Sequence, residues 1–208
     1  PTRATIMHIP VIIGAIMEGP LVGASIGLIF GILSMFQAMS NPTPVSFVFL
    51  NPLVSILPRV LIGIVSFYAY KLIKDLGGNK SLKILNLLWL GIIVYLVYGI
   101  YVNIIEFNSI WPILMNILLI VLSLLVAFYA NKKLKNNAID IIIPTILGTL
   151  TNTVGVLSAI YFLYGQRFVL ALGQDVDMAK KVIIGIGITN GIPEVIVAII
   201  LATNIVKV

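Results

Sequence analysis

The stretch Gly148-Thr149-Leu150-Thr151-Asn152-Thr153 lies inside a long apolar run from about Ala138 to Phe162. Hydrocarbon offers an amide side chain no hydrogen-bond partner, so Asn152 within such a run requires another helix or a ligand. On an α-helix, several small or polar residues share one face: Thr145, Gly148, Thr149, Asn152 and Gly155. The opposite face is Ile, Leu and Val. The pattern predicts a membrane-spanning helix whose polar face lines a binding cavity.

The composition of the 208-residue chain is typical of an integral membrane protein. Hydrophobic residues make up 60% and charged residues 10% of the chain, whereas a soluble domain carries about 25% charged residues. The net charge of +6 comes from short islands between apolar runs, which indicates membrane orientation and argues against nucleic-acid binding. The chain has no cysteine, so disulfides, a thiol nucleophile and thiolate metal sites are excluded.

Seven apolar segments predict an all-α, polytopic bundle that forms a single transmembrane domain over residues 1–208. The predicted spans are Arg3–Met17, Leu21–Ala38, Asn51–Lys74, Leu82–Ile105, Ile110–Ala130, Ala138–Phe162 and Lys180–Val206. The hairpin of the fourth and fifth spans is apolar nearly all round and is predicted to face lipid.

The lysines predict the orientation of the bundle. They concentrate in segments 71–83 and 131–137 and at Lys207, which the positive-inside rule places in the cytoplasm together with the C-terminus. The loops at 39–50, 106–109 and 164–179 then face outward.

Arg59 is a charged residue inside the third predicted span. It shares a helical face with other small or polar residues: Ser55, Gly63, Ser66 and Tyr70. A guanidinium at this depth needs a carboxylate, carbonyl groups or an anionic ligand, and Pro58 can open the helix locally because it removes one backbone hydrogen bond. Arg59 either grips a substrate carboxylate or forms a structural ion pair with Glu194. We favour the first interpretation, because intramembrane charges are usually functional.

The last predicted span contains Thr189-Asn190-Gly191-Ile192-Pro193-Glu194. Asn190 and Glu194 share a face, and the amide of Asn190 suits an amide or hydroxyl ligand. Glu194 is a proton carrier, a substrate contact or a partner for Arg59. We favour a partner or supporting role over proton coupling.

His8 and a row of glycines each have a structural and a functional interpretation. A lone histidine without nearby carboxylates or thiolates does not form a metal site, so a packed or capping role is favoured. We nevertheless keep His8, with Ser55 and Thr149, among the candidate substrate contacts.

The glycine row lets a helix approach closely, and packing within the protein is favoured over docking of a scaffold subunit. Its members are Gly23, Gly27 and Gly31.

The sequence lacks the motifs that are typical of common enzyme classes. It contains no G-x-S-x-G, H-E-x-x-H or Walker A motif. We therefore expect a protein that is not an enzyme and that holds neither a metal nor a cofactor.

Five strings occur together and in order along the chain. They are Pro1-Thr2-Arg3-Ala4-Thr5-Ile6-Met7-His8-Ile9-Pro10-Val11-Ile12-Ile13-Gly14, Glu18-Gly19-Pro20, Leu57-Pro58-Arg59, Gly148-Thr149-Leu150-Thr151-Asn152-Thr153 and Thr189-Asn190-Gly191-Ile192-Pro193-Glu194. In these strings the chain resembles the substrate-binding S-components of energy-coupling factor (ECF) vitamin transporters, and the pantothenate-type subfamily most of all. The strings cover most of residues 1–76 and 138–206.

The resemblance implies a six-helix fold in the bacterial plasma membrane that holds a small-molecule vitamin near the outer face of the lipid bilayer. It also implies partners, namely a membrane scaffold subunit and two ABC-type ATPases. On the matching positions, Arg59 and Asn152 contact the ligand, with Asn190 and the 39–50 loop nearby. The chain departs from the family pattern in two ways. The hairpin at about 82–131 is extra, and the first family helix is missing, so we expect one further helix upstream of Pro1.

The resemblance and the residues together predict a subunit that binds pantothenate for uptake by an ATP-driven ECF transporter. The alternatives are an S-component for another vitamin or precursor, such as folate or a pyrimidine, and a self-sufficient proton-coupled carrier that uses Glu194. An intramembrane enzyme is the least favoured reading.

Overall fold

The computed structural model describes residues 6–105, 110–133 and 139–206, which contain helices and turns but no strand. The helices are α1 (Ile9–Glu18), α2 (Pro20–Ser40), α3 (Pro52–Ser55), α4 (Leu57–Leu76), α5 (Gly78–Ile105), α6 (Ile110–Lys133), α7 (Ile139–Ala171) and α8 (Ala179–Val206), with 3₁₀ turns at Ser46–Leu50 and Val176–Met178. Among the described residues, five segments are long and apolar enough to cross a membrane: α2, α3 with α4, α5, α7 and α8. Shorter apolar helices occur at α1 and within α6. The prediction of an all-α, polytopic membrane protein is confirmed.

Glycines and prolines set the first helix boundaries. Gly19 has a φ of 101°, a conformation that costs glycine little, and Pro20 opens α2 because a first-turn residue needs no N–H donor. The break between α4 and α5 is equally abrupt. Gly77 has a φ of 76° and α5 begins at the next residue. The loop predicted within segment 71–83 is therefore wrong, and the lysines of that segment lie on helix ends.

The end of α7 also differs from the prediction. The polar residues Gln166 and Arg167 indicated that a loop begins near 164, but the helix continues to Ala171. The reason is that Phe168 and Val169 are buried in an apolar cluster. Burial of these two side chains stabilises the extra turns, whatever the exposed neighbours prefer.

The glycine row of α2 packs against α4. A Cβ placed on Gly27 would lie 2.2 Å from the backbone oxygen of Arg59, and one on Gly31 would lie 2.8 Å from the Cα of Ile56. The row therefore brings two backbones into contact within the protein, as small residues do between membrane helices. Because α4 occupies the row, another subunit could not reach it in this conformation.

The α5–α6 hairpin lies along the bundle. Leu96 and Leu119 pack with Ile192 and Ile196 of α8, while many other described side chains of the hairpin are apolar and exposed. Exposed apolar side chains on a membrane protein contact lipid, as predicted for this segment. Its interpretation as an insertion stays a prediction.

Candidate functional site

Arg59 lies inside the bundle at the first turn of α4, with 6% of its surface exposed. Pro58 has no backbone N–H, so the carbonyl oxygen of Val54, four residues earlier, lacks its usual helical donor. The Arg59 Nη1 donates a hydrogen bond to that oxygen. The chain also breaks at Ile56, between α3 and α4. The local sequence thus opens the helix and anchors the arginine at the opening.

Two aromatic rings flank the guanidinium. Its Cζ lies 5.4 Å from the ring centroid of Phe30 in α2 and 6.0 Å from that of Phe49 in the 3₁₀ turn. Such rings attract a cation, most strongly where water is excluded. Glu194 of α8 is near enough to act on Arg59 through its charge. These groups accommodate a positive charge in the interior of the bundle.

Asn152 lies on the face of α7 that packs against α4. A Cβ on Gly148 would lie 2.2 Å from Ser66 Oγ, and one on Gly155 would lie 3.0 Å from Pro58 Cβ. Asn152 stands between these two glycines on the same helical face, and it is 6% exposed. The two main predicted ligand contacts therefore lie on neighbouring helices at similar depth.

Several buried polar atoms in this region find no hydrogen-bond partner within the described part of the chain. They are Arg59 Nε, Ser66 Oγ, Thr149 Oγ1 and Asn152 Oδ1. Buried polar atoms in folded proteins are nearly always paired, and exceptions call for a functional explanation. These donors and acceptors lie at a similar depth in the bundle. A bound polar ligand could supply the hydrogen-bond partners that they lack.

The other predicted contacts have different surroundings. Ser55 is fully buried, and its hydroxyl donates to the backbone oxygen of Phe49, so it holds the 3₁₀ turn. His8 is fully buried just before α1. Glu194 is buried, and Asn190, one helical turn earlier on α8, is half-buried. The packing of α7 on α4 thus brings Arg59, Asn152 and Thr149 towards one another, whereas His8 and Asn190 lie on other elements.

The 3₁₀ turn Ser46–Leu50 packs on the end of α7. Asn51 Nδ2 donates a 3.0 Å hydrogen bond to the hydroxyl of Tyr164, and Phe47 meets the same ring edge-on at 5.8 Å. The guanidinium of Arg167 lies 4.3 Å from the Phe47 ring centroid. The family resemblance implied that this loop lies near the ligand. Phe30 and Tyr164 were not predicted, because an aromatic residue in an apolar run carries no distinguishing signal.

A cavity of about 570 Å³ lies elsewhere, on the opposite side of α7, between α5, α7 and α8. Its lining is mostly apolar, and none of the seven predicted substrate contacts is among the described residues that form it. The predicted cavity on the polar face of α7 is therefore not the one seen. The polar atoms around Arg59 are covered by protein.

The sequence is similar to known transport proteins. The family profile described as ECF transporter, substrate-specific component, matches residues 1–111 and 84–206. The pantothenic acid transporter PanT of Lactococcus lactis subsp. cremoris (strain MG1363) is 25% identical over 220 residues, covering 99% of this chain and 77% of that protein. The pantothenate transporter PanT of Leuconostoc mesenteroides subsp. mesenteroides is 29% identical over 146 residues, covering 57% of this chain and 72% of that protein. No solved structure gives a significant match.

The family match spans nearly the whole chain, in two stretches that overlap inside the predicted extra hairpin. This chain belongs to the family of substrate-specific components of ECF transporters. It is a multi-pass membrane protein, and its relatives are named as transporters rather than enzymes.

Proposed function

We propose that this chain binds pantothenate and presents it to an ATP-driven ECF transporter in the bacterial plasma membrane. The names of both relatives support this substrate. The observation that carries the proposal is the interior guanidinium of Arg59, whose Nε lacks a hydrogen-bond partner among the described residues. A planar donor fork with spare capacity suits a carboxylate.

The chemistry of pantothenate fits the groups at this site. The molecule has one carboxylate, one amide and two hydroxyls. We assign the carboxylate to Arg59 and the amide or a hydroxyl to Asn152, which can both donate and accept. The hydroxyls of Thr149 and Ser66 are further partners. Glu194 acts as a supporting charge, which offsets that of Arg59 while the site is empty.

Access to the site requires a rearrangement, because protein covers the polar atoms. Phe49 and the 3₁₀ turn Ser46–Leu50 cover Arg59, and this turn rests on α7 through the Asn51–Tyr164 hydrogen bond. We propose that the turn lifts to admit the vitamin and then returns. Loops that connect packed helices are the usual moving parts around a binding site.

The remaining parts of the proposal concern partners and orientation. We expect a membrane scaffold subunit and two ABC-type ATPases to drive uptake, with the C-terminus of this chain in the cytoplasm. The chain itself performs no chemical step and needs no cofactor. Since α4 fills the glycine row of α2, we expect the scaffold to dock on other residues.

Binding by the purified chain tests the proposal. In detergent and without ATPases, calorimetry should show pantothenate binding, and pantothenol, in which a hydroxymethyl group replaces the carboxylate, should bind far more weakly. A protein that bound both molecules equally would not use a carboxylate clamp. Uptake by this chain alone in liposomes with a proton gradient would instead support a carrier that uses Glu194.

A further inference from the structure

A groove runs between α7 and α8 on the side of α7 that faces away from Arg59. It contains the 570 Å³ cavity. A Cβ on Gly187 would lie 3.0 Å from Leu157 Cδ1, and one on Gly191 would lie 3.1 Å from Thr153 Cγ2. The two helices therefore touch at these glycines, whose missing side chains give the groove its depth.

The groove is continuous with the lipid-facing surface. Among the residues that line it, Val154 is 59% exposed and Phe162 is 81% exposed. Apolar side chains this exposed on a membrane-spanning helix face hydrocarbon. The cavity therefore opens sideways into the bilayer, and a lipid can enter it without crossing water.

The two ends of the groove differ in chemistry. Lys180, at the start of α8, lines one end and is exposed, whereas Ile192 lines the other. Twelve helical residues separate them, which is about 18 Å. One leaflet takes up about half of a hydrocarbon core of about 30 Å, so the groove extends roughly from one membrane surface to the midplane.

A cation at the surface end of an apolar, laterally open groove matches a phospholipid with an anionic headgroup. We propose that the groove binds one acyl chain of an anionic phospholipid and that Lys180 holds its phosphate. A lysine near a membrane surface attracts the negative charge of an anionic headgroup. Tyr161, which also lines the groove and is partly exposed, suits the interfacial region beneath the headgroup. Asp177, three residues before Lys180, is not among the described residues of the lining.

The test uses the intact chain in detergent with phosphatidylglycerol or phosphatidylcholine of the same acyl chains, and native mass spectrometry to count retained lipid. The preference for phosphatidylglycerol should fall about fivefold in Lys180→Gln, which is the effect of one lysine at an anionic surface. Lys181→Gln is the matched control, since Lys181 is not part of the described lining.

A second pair of variants tests the groove itself. Gly187→Leu fills it and should reduce retention of both lipids. Gly185→Leu, whose added Cβ meets nothing within 4 Å, should not. If Gly187→Leu fails to fold, Ser158→Leu fills the groove from α7 and provides the same test. Pantothenate binding should be unchanged in Lys180→Gln.

Three results would overturn the proposal. The first is equal lipid preference in the two lysine variants, and the second is equal retention in the groove-filling and control variants. The third is displacement of the lipid by pantothenate, which would make the groove the vitamin site.

Discussion

Replacing Arg59 with glutamine removes the charge and leaves two of the five N–H donors, on a shorter side chain that is still polar. In the wild-type protein, Nη1 is engaged by the Val54 carbonyl and the rings of Phe30 and Phe49 flank the guanidinium. The Nε, which lacks a hydrogen-bond partner among the described residues, is therefore available to a ligand carboxylate. The variant should lose this contact and leave the charge of Glu194 without its nearby opposite.

The magnitude follows from what is lost. Truncating one partner of a buried, hydrogen-bonded charge pair costs about 2–5 kcal/mol. Because one guanidinium nitrogen serves Val54 in the wild-type protein, we expect the lower part of this range, about 2–3 kcal/mol, or a loss of about 30- to 150-fold in pantothenate affinity. Affinity for pantothenol, which lacks the carboxylate, should change little.

Measurements of thermal stability distinguish a structural role of Arg59 from a role in ligand binding. Removing one of two interacting buried charges destabilises a fold, so Arg59→Gln should lower the thermal unfolding temperature. Adding Glu194→Gln removes the second charge and should restore much of that stability without restoring pantothenate affinity. If the double variant regained both, the two residues would form a structural pair and nothing more.

Calorimetry with the two ligands and thermal unfolding measure these effects. Lys180→Gln is the control, because it also removes a positive charge but at a residue that lines the separate groove, and it should bind pantothenate as the parent does. The reasoning is refuted if Arg59→Gln still discriminates pantothenate from pantothenol as strongly as the wild-type protein.

Three further predictions concern neighbouring parts of the site. Asn152→Ala should weaken pantothenate binding about tenfold, as expected for the loss of one hydrogen bond. Thermal stability should stay equal or rise, because the variant removes a buried acceptor that has no partner. A loss of stability with unchanged affinity would contradict this prediction. Gly27→Ala should lower the free energy of unfolding by about 1–3 kcal/mol, because the added Cβ would meet the backbone of α4. Gly185→Ala, whose Cβ lies in open space, should raise it by up to about 1 kcal/mol through helix propensity. Equal unfolding temperatures of the two variants would argue against the close packing of α2 and α4. Tyr164→Phe removes the hydrogen bond from Asn51 and should speed both amide exchange in the Ser46–Leu50 turn and pantothenate dissociation. An unchanged dissociation rate would show that the turn does not control access.

The burial of Arg59 and Asn152 inside the bundle could be predicted from sequence, because a polar residue inside an apolar run has few physical explanations; their contact with a ligand stays a prediction. The spans could be predicted for the same reason, since long apolar segments favour helices in a membrane. The ring of Phe30 beside Arg59 could not be found, because its neighbours in α2 are equally apolar and its role depends on how α2 crosses α4.

Boundaries and cavities depended on tertiary packing. Gly77 alone separates α4 from α5, although the lysines on either side indicated a longer loop. Phe168 and Val169 extend α7 because other elements bury them. The groove beside Lys180 forms because α5 packs next to α7 and α8. No local sequence pattern specifies this packing.

The central claim is that Arg59 and Asn152 hold the carboxylate and the amide or hydroxyl groups of one small molecule between α4 and α7. A structure of this chain with pantothenate bound tests it most directly. We predict the carboxylate within hydrogen-bond distance of the Arg59 guanidinium and a polar group of the ligand on Asn152 Oδ1. Pantothenate in the groove lined by Tyr95 and Lys180, with Arg59 still covered by Phe49, would contradict the account.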